Sequence, residues 1–576
     1  MCGISGIIGN SWKDVQLSAM LQSQVHRGPD ADGIFISKDH YAGLAHNRLS
    51  IIDLSIDAKQ PMFDSTGRYS IIYNGEVYNY LEIKSALSAE FNFKTKTDTE
   101  VILYAYIKWG EACLDKFIGM FAIAIWDDMD KMLWIARDRF GVKPLNYAFD
   151  SYNNFYFSSE IKALHAAGVP REINEATWAE YLGYGRYDNS ENTFWNRIYK
   201  LLPGSILTLK DGTIKIKKWY DLFDHTGKDF DTRPLEEVTE IYLALLENSV
   251  RLRFRSDVPV GINLSGGLDS SALLSLVNKV QGEESDIKAF TFITGDNRYD
   301  ELPWVNEMIS TTKHELIPCL LMAKDVPGMA ESIQKFEDEP FGGIPTLAYA
   351  RVFEEAKKAG VIVLLDGQGI DEQWAGYDYY QNSNTHMALP TIQGSKDGSV
   401  QPECLDPEFL AYAETTVIPE RYPDKLRNLQ YRDTFYSKIP RALRFNDRIS
   451  MRSSTELREP FLDHRLFEIA FRQPENFKIN ERTGKWFMRQ LLKTQLPGKV
   501  VESPKRPIQT PQREWLRGEL REWTEAMLET AIVSNPFLIK GKIMEKWHNF
   551  VAGQSDNSFY VWQWISLALM QTRIKE

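Results

Sequence analysis

The sequence predicts an α/β protein with at least two domains, and three observations support that prediction. Its 576 residues are more than a single hydrophobic core accommodates. Residues 1 to about 205 are rich in short apolar runs separated by turn residues, which is typical of strands and hairpins. The later residues alternate short apolar runs, such as VPVGINL and GVIVLLD, with longer helical stretches, which is the pattern of a parallel, doubly wound sheet.

Individual elements follow from the same patterns. GIFISKDHYAGLAHNRLSIIDL, RYSIIYNGEVYN and FAIAIWDDMDKMLWIARD predict strands and hairpins in the first part. TDTEVILYAYIKWG predicts a helix, because Thr97 or Asp98 is placed to cap its start and Gly110 comes near its end. The polar run HTGKDFDTRP predicts a linker, and FYVWQWISLALM predicts a helix of the core.

Composition and charge narrow the class of protein. With 67 Lys and Arg against 79 Asp and Glu, the net charge is −12, which argues against a nucleic-acid-binding surface. Cys2, Cys113, Cys319 and Cys404 have no paired spacing, so neither a disulfide framework nor a zinc site is indicated. Neither a signal peptide nor an apolar run of about 18 residues is found. We therefore expect a cytoplasmic protein without a membrane span.

The opening stretch MCGISGIIGN places a cysteine directly behind the initiator methionine. A lone cysteine is most often a small buried hydrophobe, which is the simplest interpretation of Cys2. If Met1 is removed, however, Cys2 carries a thiol and a free α-amine, with ordinary pKa values of about 8.5 and about 8. The amine could then act as the base for its own nucleophile, as in N-terminal nucleophile enzymes. This stretch alone leaves both interpretations open.

A second motif, SGGLDSS, lies between the predicted strand VPVGINL and a helix. An ordinary tight turn would explain two glycines alone. Here glycine, serine and aspartate residues converge at the start of a helix, where inward-pointing backbone N–H groups and the helix dipole favour a pyrophosphate group. The loop is not of the Walker type, because G-x-x-x-x-G-K-[ST] is absent.

SGGLDSS is similar to the loop of the ATP-pyrophosphatase superfamily. Together with the cysteine behind Met1, it makes nearly the whole chain resemble the asparagine synthetase family, a class II glutamine amidotransferase joined to a synthetase domain. The resemblance implies an α+β N-terminal nucleophile hydrolase sandwich (αββα) followed by an α/β ATP-pyrophosphatase domain. The implied boundaries are residues 1–205 for the glutaminase, 206–235 for a connecting segment and 236–576 for the synthetase.

The resemblance also implies roles in the glutaminase half. Cys2 resembles the family's nucleophile, and Asn74 with Gly75 resembles its oxyanion hole. Arg48 corresponds to the arginine that binds the carboxylate of glutamine, since a guanidinium grips a carboxylate bidentately. Glu76 and Asp98 correspond to the acids that hold its ammonium. The implied glutamine-binding residues are Arg48, Leu49, Ser50, Ile51, Asn74, Gly75, Glu76 and Asp98.

In the synthetase half, Asp269 and Asp371 match the family's magnesium-binding aspartates. Lys505 falls where the family keeps a lysine that neutralises charge during adenylation, although Pro507 and Ile508 follow it where the family has a glycine and an aromatic. Lys485 is an auxiliary candidate. The implied ATP-binding residues are Leu264, Ser265, Gly266, Gly267, Asp269, Ser270, Ser271, Asp366 and Gly367.

The implied substrates are glutamine, ATP with Mg²⁺, and a carboxylate acceptor. Glutamine is hydrolysed at the cysteine, the acceptor is activated by ATP as an acyl-adenylate, and ammonia from an internal tunnel displaces AMP to give an amide. Dimers are common in the family, and the sequence leaves a homodimer open.

Two residues depart from the family's pattern and leave the acceptor open. Gln368 replaces a glutamate that is thought to assist amide formation, and glutamine cannot take a proton as a carboxylate does. Glu459 stands where a small apolar residue is usual. Both features, with Tyr299 to Glu301, resemble a subgroup associated with surface polysaccharides such as O-antigen or capsule. The acceptor is therefore aspartate or a sugar uronate, and a catalytically silent scaffold is a third alternative.

Overall fold

Two antiparallel sheets of six strands each make up the N-terminal part of the molecule. The computed structural model describes residues 1–282, 285–310, 312–381, 399–414, 416–503 and 510–575. In spatial order, the strands of the first sheet are Ile198–Lys200, Asn146–Phe149, Phe155–Ser158, Gly3–Ile8, Ala42–Arg48 and Ala31–Ile36. Those of the second sheet are Thr213–Lys218, Ser205–Lys210, Met132–Arg137, Gly119–Asp127, Tyr69–Val77 and Met62–Phe63.

The two sheets pack face to face, with helices on both outer faces. Ile4 and Leu44 of the first sheet meet Ile72 and Ile135 of the second sheet in a common core. The helices of this part are Asp14–Ser23, Ile161–Ala166 and Glu175–Tyr184 beside the first sheet, and Tyr80–Leu87, Asp98–Trp109 and Cys113–Lys116 beside the second. This αββα arrangement confirms the predicted fold class of the N-terminal part.

The predicted helix and hairpins of this part are confirmed. Thr97, one of the two predicted caps, accepts a hydrogen bond from the backbone N–H of Thr99 at 3.3 Å, and Gly110 ends the helix with a φ of 56°. The last hairpin of the second sheet, Ser205–Lys210 with Thr213–Lys218, continues past residue 205. The division of the chain into 1–205, 206–235 and 236–576 stays a prediction.

A parallel sheet of five strands forms the second part and confirms the doubly wound prediction. Its strands, in spatial order, are Glu315–Leu320, Lys288–Ile293, Val260–Asn263, Val363–Leu365 and Glu456–Arg458. The longer helices around it are Leu235–Arg253, Leu268–Gln281, Leu302–Ile309, Val326–Glu337, Ile344–Lys358, Lys438–Arg452, His464–Phe471, Arg521–Ser534, Lys540–Val551 and Phe559–Lys575.

Shorter elements complete the second part. They are the helices Leu222–Thr226, Ile370–Gln373, Pro407–Leu410, Lys425–Arg432, Glu475–Lys478, Trp486–Leu492, Gly498–Val501 and Gln512–Arg517, and the paired strands Ile479–Asn480 and Thr483–Gly484. The helix Phe559–Lys575 contributes buried aromatic residues to the core, as predicted. Within the described ranges, no helix combines the length and the apolar character that crossing a bilayer requires.

Several hydrophobic clusters contain residues of both parts. Met1 and Leu49 from the N-terminal part pack in the same buried cluster as Val363 and Met451 from the second part. The edge strand Glu456–Arg458 of the parallel sheet therefore lies against the N-terminus of the chain. This packing brings Cys2 next to the second part of the molecule.

Candidate active sites

Cys2 lies at the start of the strand Gly3–Ile8, which is flanked by Ala42–Arg48 and Phe155–Ser158 in the first sheet. Its backbone N–H donates to Oδ1 of Asn74 at 3.0 Å, and its Sγ lies 4.0 Å from the carbonyl oxygen of Leu49. Burial raises the pKa of the Cys2 thiol, against the opposing effect of the nearby N-terminal ammonium. The thiol therefore needs a base to become a nucleophile.

Met1 fills the space beside Cys2. Its side chain is buried and lines the same small cavity, of about 30 Å³. Its N-terminal ammonium lies 2.9 Å from Oε2 of Glu456. Removal of Met1 would leave a free α-amine on Cys2, at the nitrogen that now donates to Asn74, and would enlarge the cavity towards Glu456.

Asn74 offers an unused hydrogen-bond donor next to Cys2, and Gly75 allows two backbone segments to approach each other closely. Among the described residues, Nδ2 of buried Asn74 has no hydrogen-bond acceptor. Gly75 has a φ of 152°, and a Cβ atom there would lie 2.1 Å from the carbonyl oxygen of Met120 on the neighbouring strand. Only glycine fits this position. The arrangement suits stabilisation of an oxyanion formed when the thiol attacks a carbonyl group.

Two buried carboxylates line the same cavity. Asp98 accepts hydrogen bonds from the hydroxyl of Tyr73 and the backbone N–H of Val77, both at 2.9 Å. Burial raises the pKa of Asp98 to about 6, against the lowering effect of these two bonds. Burial and the neighbouring Glu456 raise the pKa of Glu76 well above its ordinary value. These acids can receive a substrate's ammonium group.

Arg48 lines the cavity while its guanidinium holds the loop that follows it, donating to the carbonyl oxygens of Ser55, at 2.7 Å, and Asp53. Ser50, by contrast, lines a neighbouring groove, and its backbone N–H donates to Asp30 at 2.7 Å. Of the predicted set, the structure brings these residues to the cavity: Cys2, Arg48, Leu49, Ile51, Gly75, Glu76 and Asp98.

Sequence reasoning missed two residues that reach this cavity from the second part. Glu456 pairs with Met1, and Arg458 lies with Nε 2.5 Å from Glu456 and Nη2 3.4 Å from Glu76. Burial alone would raise the pKa of Glu456, but the N-terminal ammonium and Arg458 lower it to about 2. The sequence marks Glu459, three residues after Glu456, as unusual, but no local pattern connects this stretch with Cys2.

The second site is a cleft of about 810 Å³ at the carboxyl ends of the parallel strands. Ligands of open α/β sheets bind at this edge. The loops after Val260–Asn263 and Val363–Leu365 form its floor. The predicted residues that line it are Ser265, Gly267, Asp269, Ser270, Asp366, Gly367 and Asp371.

The SGGLDSS loop has the geometry of a cradle. Gly266 has a φ of 68°, and a Cβ atom there would lie 2.9 Å from Cβ of Trp304. The backbone N–H of Ser265 donates to Oγ of Ser270 at 3.2 Å, and the helix Leu268–Gln281 begins directly after the loop. Leu264 and Ser271 are buried behind the loop and do not line the cleft.

The two predicted metal-binding aspartates converge on a single cation. Nζ of Lys485 lies 2.7 and 2.6 Å from the two carboxylate oxygens of Asp269 and 2.6 Å from Oδ1 of Asp371. The ammonium marks a position where two carboxylates accept a positive charge, which fits a divalent cation that takes its other ligands from phosphates and water. The described residues contain no cluster of three or more metal-binding side chains. Lys505 lies outside the described residues.

Basic residues that line the cleft on its walls were not predicted from the sequence. They are Lys438, Arg441, Arg482 and Arg489. Burial lowers the pKa of Lys438 to about 8, and its Nζ lies over the rings of Tyr377 and Tyr379. These residues have no motif of their own, because they come from separate elements that meet only in the fold. They make the wall suitable for an anionic substrate.

Comparison with known proteins assigns each part of the chain to a protein family. A family model described as glutamine amidotransferase domain matches residues 1–220, and one described as asparagine synthase matches residues 242–572. The asparagine synthetase [glutamine-hydrolyzing] 1 of Bacillus subtilis (strain 168) is 30% identical over 98% of this chain and 95% of the relative. Asparagine synthetase [glutamine-hydrolyzing] 3 of the same strain is 28% identical over 92% of this chain and 90% of the relative.

A third relative extends the match to an archaeon. The putative asparagine synthetase [glutamine-hydrolyzing] 2 of Methanocaldococcus jannaschii is 36% identical over 66% of this chain and 76% of the relative. The two Bacillus subtilis relatives match 98% and 92% of this chain, so their similarity covers both of its parts. The chain belongs to the asparagine synthase family and carries a glutamine amidotransferase domain in its N-terminal part.

Proposed function

We propose that this protein is a glutamine-dependent amidotransferase that uses ATP to convert a carboxylate into an amide. The observation that carries the proposal is the strand Glu456–Arg458. One of its side chains reaches the Cys2 pocket, and its carboxyl end lies beside the loop that floors the cleft. One short strand therefore connects the Cys2 pocket with the cleft that contains the SGGLDSS loop. A reaction in which ammonia moves from the first site to the second requires such a connection.

In the first half-reaction, the α-amine of Cys2 takes the proton of its thiol, and the sulfur attacks the side-chain amide of glutamine. Nδ2 of Asn74 and the backbone N–H of Gly75 stabilise the oxyanion. Glu76 and Asp98 hold the ammonium of the substrate, and Arg48 holds its carboxylate. The protonated α-amine returns this proton to the amide nitrogen, the C–N bond breaks, ammonia leaves, and water later hydrolyses the thioester to glutamate.

In the second half-reaction, the acceptor carboxylate attacks the α-phosphate of ATP and gives an acyl-adenylate and pyrophosphate. The SGGLDSS loop holds the phosphates through backbone N–H groups. Mg²⁺ held by Asp269 and Asp371 would neutralise phosphate charge. We assign Lys505 to the same task at the reacting phosphate. Aspartate is the acceptor that the names of the relatives suggest.

The test is AMP formation by the purified protein with glutamine, ATP and Mg²⁺, with and without aspartate, while glutamate and asparagine are followed by mass spectrometry. We expect aspartate-dependent AMP with matching asparagine, and no glutamate release from Cys2→Ala. Glutamate release without aspartate-dependent AMP would rule out aspartate and direct the search to other carboxylates, including sugar uronates. If neither glutamate nor AMP forms under any condition, the proposed function is wrong.

A further inference from the structure

Glu459 lies at the same edge of the parallel sheet as the loop that contains Gln368. The strands Val363–Leu365 and Glu456–Arg458 run side by side, with Leu365 opposite Arg458. The backbone N–H of Asp366 donates to the carbonyl oxygen of Arg458 at 2.9 Å. The residue that follows Arg458 therefore emerges next to the start of the loop 366–368.

The carboxyl group of Glu459 is buried and unpaired. Only 3% of the residue is exposed, and neither carboxylate oxygen has a hydrogen bond with the described part of the chain. The backbone N–H of Gln368 approaches the carboxyl without forming a well-shaped hydrogen bond. Leaving a carboxyl in this state costs folding free energy, so a purely structural reason for keeping it is weak.

Charged groups face Glu459 from three sides. Asp366 lies on the neighbouring loop, Arg253 ends the helix Leu235–Arg253, and Lys143 comes from the glutaminase half. Lys143 is 1% exposed, and burial lowers the pKa of its ammonium against the opposing effect of Asp447 and Glu456. Glu459 itself is not part of the cleft lining: it lies next to the loop 366–368, which lines the cleft, and close to Lys143 of the glutaminase half, from which ammonia would arrive.

Amide formation releases one proton that a group of the protein must take. The lone pair of ammonia forms the new C–N bond to the acyl carbon, the acyl–oxygen bond breaks, and its electron pair leaves with AMP. Nitrogen then gives up one proton. Gln368, which lines the cleft, has no group that accepts it. We propose that the carboxylate of Glu459 is the proton acceptor in this step, and that the proton later passes to solvent.

The environment of Glu459 suits this role, which rests on the proposed function. Burial and then Asp366 raise its pKa well above the ordinary value of a glutamate, while Lys143 and Arg253 act in the opposite direction. A general base works best when its pKa lies near the working pH, and a raised pKa moves a carboxyl in that direction. Relative to the family's pattern, the carboxyl group is then absent at Gln368 and is supplied instead by Glu459, at the end of the neighbouring strand.

Three assays on Glu459→Gln test the inference. They are glutamate release, acceptor-dependent exchange of pyrophosphate into ATP with aspartate (or the uronate that the wild type accepts), and amide formation. We expect the first two rates to stay close to those of the wild type and the third to fall roughly 10²- to 10⁴-fold, the usual contribution of a positioned proton acceptor. In the double variant Gln368→Glu/Glu459→Gln, amide formation should recover because a carboxyl returns to the site.

Glu337→Gln is the control for the loss of a buried carboxyl, since Glu337 is also fully buried and neither carboxylate oxygen has a hydrogen bond among the described residues, although Oε2 lies 3.6 Å from Nη1 of Arg444. It should leave all three rates close to those of the wild type. Unchanged amide formation by Glu459→Gln would overturn the inference. So would loss of all three activities without recovery in the double variant, which is the result that a structural role predicts. A wild type that forms no amide would instead reject the proposed function.

Discussion

The N-terminal ammonium of Met1 and the carboxylate of Glu456 form a fully buried ion pair, 2.9 Å long, between the two halves of the molecule. Removing one partner of such a pair leaves an uncompensated charge in the interior. In protein that keeps Met1, as checked by intact mass, Glu456→Gln should lower the free energy of unfolding by about 3 kcal/mol. Urea unfolding measures the change.

Glu82→Gln is the control for that prediction, because Glu82 pairs with Arg255 at 2.6 Å with a side chain that is 58% exposed. We expect this variant to lose less than about 1 kcal/mol of the free energy of unfolding. The contribution of Glu456 also has a defined pH range. The pKa of Glu456 is lowered from 4.5 to about 2. Its contribution to the free energy of unfolding is therefore complete above pH 4.5 and disappears as the pH falls through about 2. Equal losses in the two variants would contradict the prediction.

The pH dependence of glutamine use should follow Asp98. Its pKa is raised to about 6 by burial, and only the ionised carboxylate attracts the ammonium of glutamine. The kcat/KM for glutamine should therefore decrease as the pH falls through about 6, with a slope of about one per pH unit below it. The Asp98→Asn variant should have a low kcat/KM for glutamine that does not decrease further as the pH falls through about 6. The reaction driven by added ammonium chloride is the control, because it bypasses the pocket.

Lys485 should compete with Mg²⁺ for Asp269 and Asp371. Replacing Lys485 with Ala removes the competing ammonium from both carboxylates, so Mg²⁺ alone should stabilise the variant more than the wild type. At a Mg²⁺ concentration one hundred times the Kd of the variant, Mg²⁺ should raise the variant's free energy of unfolding by about 2.7 kcal/mol. Thermal unfolding with and without Mg²⁺ measures it. The double variant Asp269→Asn/Lys485→Ala should lose most of the gain, and an equal gain in all three proteins would argue against a metal position here.

Gly75→Ala should abolish glutaminase activity. The new Cβ would lie 2.1 Å from the carbonyl oxygen of Met120, and a φ of 152° costs a non-glycine residue about 1 to 3 kcal/mol by itself. Activity driven by ammonia should persist if the protein folds. Gly67→Ala is the control, since Gly67 has a φ of 74° with nothing within 4 Å of its Cβ position. That variant should keep glutaminase activity.

The sequence predicted the parts of the sites that lie in continuous motifs. Asn74 and Gly75 belong to one strand, and Ser265 to Ser271 to one strand–loop–helix unit, so local geometry alone brings them together. The role of Ser50 in glutamine binding stays a prediction, because Ser50 lines a neighbouring groove. It follows Leu49 in the same motif, but the chain turns there and its backbone N–H binds Asp30 instead.

Contacts between distant segments could not be predicted in this way. Glu456 is separated from Met1 by more than four hundred residues, and the two meet only because the sheets of both halves pack on a common cluster. Lys485 likewise reaches Asp269 from another element of the fold. The sequence marked Glu459 as unusual, but its closeness to Gln368 follows from the register of two parallel strands.

The strand Glu456–Arg458 is the edge of its sheet, and its side chains contact the N-terminal half of the chain through the pairs Glu456–Met1 and Arg458–Glu76. An uncovered edge offers unpaired backbone groups to other chains and promotes aggregation. A gene fragment that encodes only the second half would expose this edge together with the charges of Glu456 and Arg458. The halves are therefore poor candidates for separate expression or for exchange between relatives.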